Sequence, residues 1–252
     1  MVGKELRVAR IFREGRAVVI AADHGVAFGP MKGIEDLRKV VAASAEGGAD
    51  AVMVNLGTVG YVAKEAAGKV AVIASLPFRR RVDFRSMIKA ALRAGVDAVK
   101  LMVFTNCPEE DEYIDALADV ARVCEEWGMP LMAEMYPREK NLDPHVVARA
   151  ARIAFEVGAD IVKTFYTGEG ESFRAVVQSC PLPILILGGP KVESDEQLLR
   201  MVRDALDAGA AGIAFGRNVW QRDNPVAAVK ALRAMVHEGS SVEEALRVLQ
   251  EG

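Results

Sequence analysis

Short apolar runs of strand length alternate along this chain with longer stretches in which alanine and charged residues recur at helical spacing. Four of the runs cover residues 17–22, 70–74, 130–135 and 183–187. Four more open after a repeated glycine step, at 48–52, 95–99 and 158–162, with a looser copy at 209–213. Because glycine readily takes a positive φ, it can end a helix, and each copy predicts the passage from a helix into a strand.

Helical patterns separate these predicted strands. They cover residues 34–46, 84–94, 109–127, 144–157, 172–178, 195–208 and 225–237, and Ser240 or Ser241 would cap a last helix at 242–250. Strands that alternate with helices predict a parallel sheet, and eight such units predict a closed (β/α)8 TIM barrel of the α/β class. An open doubly wound sheet is the alternative, but no Gly-x-Gly-x-x-Gly follows the first strand. We expect a single domain over residues 1–252, with a short N-terminal lead-in and an extra C-terminal helix.

Composition narrows the class of protein. The chain has 252 residues, 51% hydrophobic and 27% charged, with a net charge of -3, and no basic patch favours a nucleic-acid partner. The longest uncharged stretch, 179–190, is too short to span a bilayer, and the first residues lack an apolar signal core. Cys107, Cys124 and Cys180 are too scattered for a disulfide framework or a Cys-x-x-Cys metal site. We expect a cytoplasmic protein with no nucleic-acid and no membrane partner.

Lys163 is the most informative single residue, because it continues an apolar strand-like run that opens at Gly158. Its ammonium must therefore reach a partly buried place. Burial disfavours the charged form of an amine, and a lysine that is neutral near pH 7 can attack a carbonyl and form a Schiff base. The alternative is a lysine paired with a carboxylate inside the barrel, and this residue alone does not decide between the two.

The reacting groups of such a barrel gather at the C-terminal ends of its strands. Those ends carry Asp23 and His24 after strand one, Tyr136 and Arg138 on strand five, Gly188, Gly189 and Lys191 after strand seven, and Gly216 and Arg217 after strand eight. Loops after strands seven and eight often hold phosphate, because glycines let backbone N–H groups approach an anion and basic side chains add charge. A tight turn also explains paired glycines, but the position of both loops favours phosphate. His24 and Arg138 are further candidate substrate contacts.

Asp23 and Tyr136 are the candidate proton-handling groups. Asp23 could hold the Lys163 ammonium, orient substrate hydroxyls or move protons, and a solvated loop position or a helix cap is the alternative. Tyr136, on the strand next to that of Lys163, could act as an acid/base or be a wall residue with a satisfied hydroxyl. No metal is expected, since the three histidines are scattered without ligand spacing.

Together these motifs resemble those of the archaeal-type class I (Schiff-base) aldolases. That family includes fructose-bisphosphate aldolase and 2-amino-3,7-dideoxy-D-threo-hept-6-ulosonate synthase, usually called ADH synthase. The matching segments are Asp23-His24-Gly25-Val26 with Gly29-Pro30, Met135-Tyr136-Pro137-Arg138, Val162-Lys163-Thr164 with Tyr166-Thr167-Gly168, Gly188-Gly189-Pro190-Lys191 and Gly216-Arg217-Asn218-Val219-Trp220-Gln221. They occur in the family's order, and the match runs from about Ile11 to the C-terminus.

The resemblance implies a TIM barrel in which Lys163 forms the Schiff base, Tyr136 transfers the proton and Asp23 is the family's strand-one aspartate. It also implies a phosphate site, whose glycines and arginine match Gly188, Gly189, Gly216 and Arg217. The implied substrates are a phosphorylated ketose and an aldehyde acceptor, and no cofactor is needed. Members of the family commonly assemble as large homo-oligomers, often decamers of two rings.

Within the family, segments 33–36, 127–131 and 172–177 look more like ADH synthase. Glu134 replaces a tryptophan of the fructose-bisphosphate branch, and it could be an acid/base group or an ion-pair partner. Two departures leave the acceptor open: Glu139 stands where the family usually has glycine, and loop 75–81 follows neither branch. That loop and residues 104–106 are expected to shape the second-substrate pocket.

We therefore expect a Schiff-base aldolase or transaldolase of the ADH synthase type, which would serve the synthesis of aromatic amino-acid precursors. A class I fructose-bisphosphate aldolase is the alternative within the family. Two alternatives belong to other classes: a phosphosugar-binding barrel without turnover, and an isomerase or epimerase that uses Glu134 as its base.

Overall fold

Parallel strands close into a barrel in this protein. In the computed structural model, which describes residues 1–77, 82–192 and 194–251, eight strands pair in chain order and the last pairs with the first. They are β1 (Ala17–Ala21), β2 (Ala51–Asn55), β3 (Ala71–Leu76), β4 (Ala98–Thr105), β5 (Leu131–Pro137), β6 (Ile161–Thr164), β7 (Ile184–Leu187) and β8 (Gly212–Phe215). The closed order confirms the predicted TIM barrel and excludes the open doubly wound sheet.

Most helices follow a strand and lie outside the barrel, and the first one precedes β1. They are α1 (Val2–Ile11), α2 (Gly25–Phe28), α3 (Leu37–Gly47), α4 (Val59–Ala66), α5 (Phe84–Arg93), α6 (Glu110–Trp127), α7 (Pro144–Val157), α8 (Gly170–Ser179), α9 (Asp195–Asp207), α10 (Arg217–Trp220), α11 (Pro225–Glu238) and α12 (Val242–Glu251). None of these helices is long and apolar enough to cross a membrane.

Every helix that the sequence predicts is present. Helix α7 begins and ends at the predicted residues, because the side chain of Asp143 accepts from the N–H of His145 at its start and Gly158, with a φ of +100°, follows its end. Ser241 rather than Ser240 caps α12, by accepting from the N–H of Glu244 at 3.2 Å. The sequence does not predict α1, α4 or the two four-residue helices α2 and α10. Helix α1 buries Ile11 but otherwise shows little of the apolar stripe that marks a core-facing helix, and α4 is short and contains a glycine. Helices α2 and α10 are too short to show a helical pattern in the sequence.

Alternate residues of each strand point into the barrel. Apolar side chains fill the half of the interior nearer to the N-terminal ends of the strands. This interior cluster includes Val19, Met53, Ile73, Ala98, Met132, Ile161 and Leu185, and Ile11 from the end of α1 completes it at the N-terminal ends of the strands. Two residues farther along the same inward faces come Lys100, Glu134 and Lys163. The apolar layer is therefore the floor on which these charged side chains stand.

The aspartates of the glycine steps, Asp50, Asp97 and Asp160, lie at the base of the barrel, and we call them the basal aspartates. Each accepts a hydrogen bond from a backbone N–H of the preceding strand. The donors are Val18, Val72 and Leu131, at 2.7, 2.9 and 2.8 Å respectively. Each basal aspartate therefore ties the start of its own strand to the strand before it.

Cations from the N-terminal segment pair with the same three carboxylates. Lys4 contacts Asp160, Arg10 contacts Asp97 and Arg13 contacts Asp50, each at 3.0 Å. The predicted lead-in is thus a helix and a short extension that are bound across the base of the barrel.

Candidate active site

Four charged side chains form a continuous buried row at the C-terminal end of the barrel. Lys100 Nζ lies 2.8 Å from Asp23 Oδ2 and 2.7 Å from Glu134 Oε2. Lys163 Nζ lies 2.6 Å from Glu134 Oε1. The order Asp23–Lys100–Glu134–Lys163 alternates negative and positive groups, and we call it the charge row. Since each of the four side chains is at most 9% exposed, the opposite charges must compensate one another.

Strand register explains how one carboxylate reaches both lysines. Glu134 on β5 is directly opposite Lys163 on β6, whereas Lys100 on β4 is opposite Met132, two residues before Glu134. Both lysines therefore flank Glu134 from neighbouring strands. Asp23 follows β1 and reaches Lys100 from the other side of the barrel interior.

Burial and the neighbouring charges act in opposite directions on these groups. Burial alone would raise the pKa of Asp23 and of Glu134, but the ammonium groups of Lys100 and Lys163 outweigh it, so both pKa values lie below the ordinary range. Burial alone would lower the pKa of Lys100, but Asp23 and Glu134 outweigh it, and the pKa is raised. Asp23 and Glu134 are therefore carboxylates at neutral pH, and Lys100 is a cation.

The charge row lines a cavity of about 390 Å³. Apolar side chains from the ends of β3 and β4 form one wall, whose residues are Leu76, Pro77, Met102 and Phe104. Glycines and Arg217 form the facing wall, after β7 and β8. A ligand in this cavity would touch the charged floor, an apolar side and a glycine-rich side at once.

The glycine-rich wall contains four predicted phosphate contacts: Gly188, Gly189, Gly216 and Arg217. Gly189 has a φ of +61°, a conformation that favours glycine. A Cβ on Gly216 would lie 2.5 Å from His24 Cε1 and 2.7 Å from the carbonyl oxygen of Ala21. Only glycine fits there, because a side chain would collide with the protein itself.

Tyr136 and His24 also line the cavity. The Tyr136 ring lies edge-on to Phe104 and Phe165, with centroids 5.6 and 4.7 Å away, and burial raises the pKa of its hydroxyl. The His24 ring lies edge-on to Trp220 at 5.3 Å, and burial lowers its pKa. Aromatic contacts thus hold both rings at the cavity, the tyrosine as a neutral phenol and the histidine as a neutral imidazole at pH 7.

Two predicted contacts lie elsewhere. The Lys191 ammonium is exposed and donates to the carbonyl of Gln221 at 3.1 Å, and the Arg138 guanidinium stacks over the Phe104 ring at 4.2 Å. Neither residue lines the cavity. Position after a strand places a residue in the correct loop, but it does not decide which way a long side chain turns.

The structure also bears on the departures from the family pattern. Glu139 has a φ of +59°, in the left-handed region where a glycine costs least. Ser75, Leu76 and Pro77 of loop 75–81 line the cavity, and residues 78–81 of that loop lie outside the described part of the chain. Glu134 is an ion-pair partner of both lysines.

Lys100 is the principal site residue that the sequence argument missed. Like Lys163, it interrupts an apolar strand run, in Ala98-Val99-Lys100-Leu101. The same reasoning about a lysine inside a strand could therefore have found it. Asp23 also pairs with Lys100 rather than with Lys163, against the first of the roles considered for it. Among the described residues, no cluster of His, Cys, Asp and Glu could hold a metal ion.

Known proteins resemble this chain along nearly its whole length. Residues 17–222 match the family described as DeoC/LacD family aldolase. The ADH synthase of Halobacterium salinarum is 36% identical over 257 residues, which cover 97% of this chain and 95% of that protein. ADH synthase 1 of Archaeoglobus fulgidus is 37% identical over 260 residues, with 98% and 95% covered.

Solved structures of aldolases superpose on this chain. A crystal structure of an archaeal fructose 1,6-bisphosphate aldolase superposes with a TM-score of 0.83 at 31% identity, covering 94% of this chain and all of that one. Another archaeal fructose-1,6-bisphosphate aldolase, with its catalytic lysine covalently bound to the carbinolamine intermediate of the substrate, superposes with a TM-score of 0.82 at 30% identity, covering 93% and 99%.

Proposed function

The chain belongs to the DeoC/LacD family of aldolases, and from that premise we propose that it is a Schiff-base transaldolase of the ADH synthase type. It would take a carbonyl fragment from a phosphorylated ketose and join it to an aldehyde. By resemblance, the donor is 6-deoxy-5-ketofructose 1-phosphate and the acceptor is aspartate semialdehyde. An enzyme that makes or breaks C–C bonds follows from the family itself, so a binding barrel without turnover is no longer a competing interpretation.

The observation that carries the proposal is the position of Lys163. Its ammonium is buried on the cavity floor, 2.6 Å from Glu134, and the glycine-rich wall stands in the same cavity. A ketose whose phosphate lies at Gly188, Gly189 and Arg217 would have its carbonyl in the same cavity as the Lys163 amine. The Glu134 carboxylate beside that amine is its proton acceptor. Holding the reacting atoms together in this way accounts for a large part of enzymatic rate acceleration.

Glu134 and Lys100 would prepare Lys163 for attack. Lys163 must lose a proton to become nucleophilic, and Glu134 Oε1 is the base in contact with it. The amine then adds to the ketone carbon, and the oxygen leaves as water. Ammonium and ketone together give a protonated imine and water, so the proton that Glu134 accepts departs with the oxygen. Lys100, on the other oxygen of Glu134, stabilises the ionised carboxylate.

Tyr136 would handle the proton of the C–C step. The protonated imine accepts the bonding electrons, and the β-hydroxyl of the ketose loses its proton as it becomes an aldehyde. In the joining direction the enamine carbon attacks the acceptor, and Tyr136 returns that proton to the new hydroxyl. Because the imine is the electron sink, this chemistry needs neither a metal nor an organic cofactor.

An isomerase with Glu134 as base fits less well. Both oxygens of Glu134 contact lysines, so the carboxylate is engaged within the charge row rather than turned toward a substrate proton. A fructose-bisphosphate aldolase stays the alternative within the family, since solved structures of that name superpose on this chain. The two activities share the imine and differ in donor and acceptor.

The assembly and cellular place of the enzyme come from the resemblance. We propose a homo-oligomer, as the family implies, in the cytoplasm. Size-exclusion chromatography with light scattering would measure the assembly, and a monomer at micromolar concentration would contradict it.

Borohydride trapping tests the proposed function. The protein is incubated with 6-deoxy-5-ketofructose 1-phosphate, fructose 1,6-bisphosphate or dihydroxyacetone phosphate, reduced, and digested for peptide mapping. We expect an adduct on Lys163 with at least one of these ketones, and none on Lys100, whose ammonium lies between two carboxylates. An adduct on Lys100 would reassign the nucleophile. No adduct with any of the three would contradict the proposal.

A coupled assay then ranks the reactions. We expect formation of the seven-carbon product from 6-deoxy-5-ketofructose 1-phosphate and aspartate semialdehyde to exceed cleavage of fructose 1,6-bisphosphate. The reverse ranking would assign the fructose-bisphosphate activity while leaving the imine chemistry intact.

A further inference from the structure

Asn218 is a buried amide that the proposed chemistry does not use. It lies on the short helix α10, directly after Arg217, and its side chain is fully buried. It contacts the loop that follows β7 at three backbone points, which are the carbonyls of Gly188 at 2.7 Å and Pro190 at 3.2 Å and the N–H of Val192 at 2.8 Å. The amide donates twice and accepts once, so both its nitrogen and its oxygen are engaged.

These contacts fix the orientation of the peptide units in the loop. In a trans peptide the C=O of one residue and the N–H of the next point in opposite directions. With the Gly188 carbonyl held toward Asn218, the N–H of Gly189 points to the opposite side of the loop. Gly189 lines the cavity, whereas Asn218 does not. The Asn218 side chain thus directs the N–H of Gly189 away from itself, and Gly189 is the residue that borders the cavity.

The fit between Asn218 and the loop is close. A Cβ on Gly188 would lie 2.9 Å from Asn218 Nδ2 and 2.9 Å from Phe215 Cδ1. Neither a larger residue at 188 nor a shorter one at 218 preserves the contact. An aspartate at 218 would keep the shape, but it would place carboxylate oxygens against two carbonyl oxygens and leave no donor for them.

We propose that Asn218 is the positioning residue of the donor-phosphate site: it holds the loop 188–192 so that the Gly189 N–H is set for the phosphate, without touching the substrate itself. This inference rests on the proposed function, in which the donor phosphate lies at Gly188, Gly189, Gly216 and Arg217. It gives a role to the third residue of the Gly-Arg-Asn segment, beside the arginine that faces the cavity.

Two ketones that differ only in phosphate test this role. The rate of borohydride trapping on Lys163 is measured with dihydroxyacetone phosphate and with dihydroxyacetone, and their ratio is the phosphate preference. For Asn218→Ala and Asn218→Asp we expect that preference to fall about 10- to 100-fold, the range that small displacements of a binding group cause. Trapping of dihydroxyacetone should stay within about twofold of the wild-type rate.

Asn141→Ala is the matched control. The Asn141 side chain accepts from the N–H of Asp143 at 3.0 Å, just before α7, and it does not line the cavity. Its loss should lower stability and leave the phosphate preference unchanged. If Asn218→Ala and Asn218→Asp do not fold, Gly188→Ala displaces the loop from the other side of the same contact and should show the same fall in preference.

The outcomes separate the two proposals. A preserved phosphate preference in folded Asn218 variants, or in folded Gly188→Ala, overturns the positioning role and leaves the imine chemistry standing. An equal loss of trapping for both ketones also overturns it, because the defect would then reach Lys163. Wild-type protein that traps dihydroxyacetone without any preference for the phosphorylated ketone removes the phosphate site, and this inference with it. Wild-type protein that traps neither ketone contradicts the proposed function itself.

Discussion

The two ends of the barrel both join acidic and basic side chains, but they do so in different surroundings. At the base, each basal aspartate accepts a hydrogen bond from a backbone N–H; Asp50 and Asp97 are buried, but the side chains that pair with them, Arg13 and Arg10, are 61% and 65% exposed. At the other end, the charge row is buried, and lysine ammonium groups balance its carboxylates. The basal carboxylates bond to backbone and hold neighbouring strands together, whereas Glu134 lies against the Lys163 ammonium, with which it can exchange a proton.

This difference predicts where substitutions should change stability and turnover. Exposed ion pairs contribute little free energy, because water and salt screen them. A buried row cannot lose one member without leaving a bare charge in the interior. Substitutions of Arg10 or Arg13 at the base should therefore change stability slightly and leave turnover unchanged, and substitutions in the charge row should change both.

A pair of lysine variants makes the strongest test of this contrast. Lys163→Ala should lower turnover by about 10⁴- to 10⁶-fold, as loss of a covalent nucleophile does, because no imine can form. Lys4→Ala, which removes a cation from Asp160 at the base, should leave turnover within about twofold. Steady-state assays and circular dichroism of both variants measure activity and fold. Substantial residual turnover in Lys163→Ala would rule out the imine mechanism.

Tyr136→Phe tests proton transfer separately from side-chain packing at the C-terminal end of the barrel. We expect turnover to fall about 10²- to 10⁴-fold, the usual range for one acid/base group, while the aromatic contacts with Phe104 and Phe165 and the melting temperature are kept. The assay is compared with borohydride trapping, which should still label Lys163. An unchanged rate would move the proton-transfer role to another group, with Glu134 the next candidate.

Lys100→Met removes the cation at the centre of the charge row. Asp23 and Glu134 would then lose a shared partner, and breaking a buried pair in this way costs about 3–5 kcal/mol of unfolding free energy. Urea unfolding at neutral pH measures the loss. The corresponding change at the base, Arg10→Ala, should cost no more than about 1 kcal/mol. Similar costs for the two variants would mean that the ends of the barrel do not differ as described.

The same variant should show a characteristic dependence on pH. In the wild-type protein the pKa values of Asp23 and Glu134 lie below their ordinary 3.8 and 4.5. The stabilisation by Lys100 is therefore fully present above those ordinary values and is lost as pH falls through the lower folded-state pKa values. The difference in unfolding free energy between wild type and Lys100→Met should shrink on acidification. A difference that stays constant from pH 7 to pH 3 would contradict the electrostatic origin of the effect.

The smallest expected effect is at the edge of the base. Arg13→Ala leaves Asp50 with its bonds to the Val18 N–H and to His237 Nε2, at 2.7 Å each. We expect a loss of at most about 1 kcal/mol, abolished in high salt, with unchanged kinetics. A loss that persists at high salt would show that the pair is not screened as an exposed pair should be.

The strands and helices of the barrel could be predicted from the sequence because short local patterns specify them. The glycine steps mark the starts of β2, β4, β6 and β8, since a left-handed glycine ends the helix that precedes each of them. The family and its enzyme class, carried by the strand-end motifs, are likewise confirmed. The domain limits and the chemical roles of the site residues stay predictions.

The contacts of the site could not be predicted in the same way, because they depend on register and on side-chain direction. Glu134 stands out in the sequence, but its two partners follow from its position between β4 and β6. Lys191 and Arg138 lie in the expected loops but do not line the cavity. Asn218 belongs to a segment that carried the resemblance, yet its three contacts connect residues about 30 positions apart and leave no local trace.

The apolar floor beneath the charge row has a consequence for the order of events. Side chains from Ile11 to Leu185 fill the interior below Lys163, so within the described residues the cavity opens to solvent only at the C-terminal ends of the strands. The aldehyde that is cleaved from the donor and the acceptor aldehyde that replaces it must use the same entrance, one after the other. The architecture therefore favours a ping-pong sequence, in which the enzyme waits, covalently loaded, between the departure of one aldehyde and the arrival of the next.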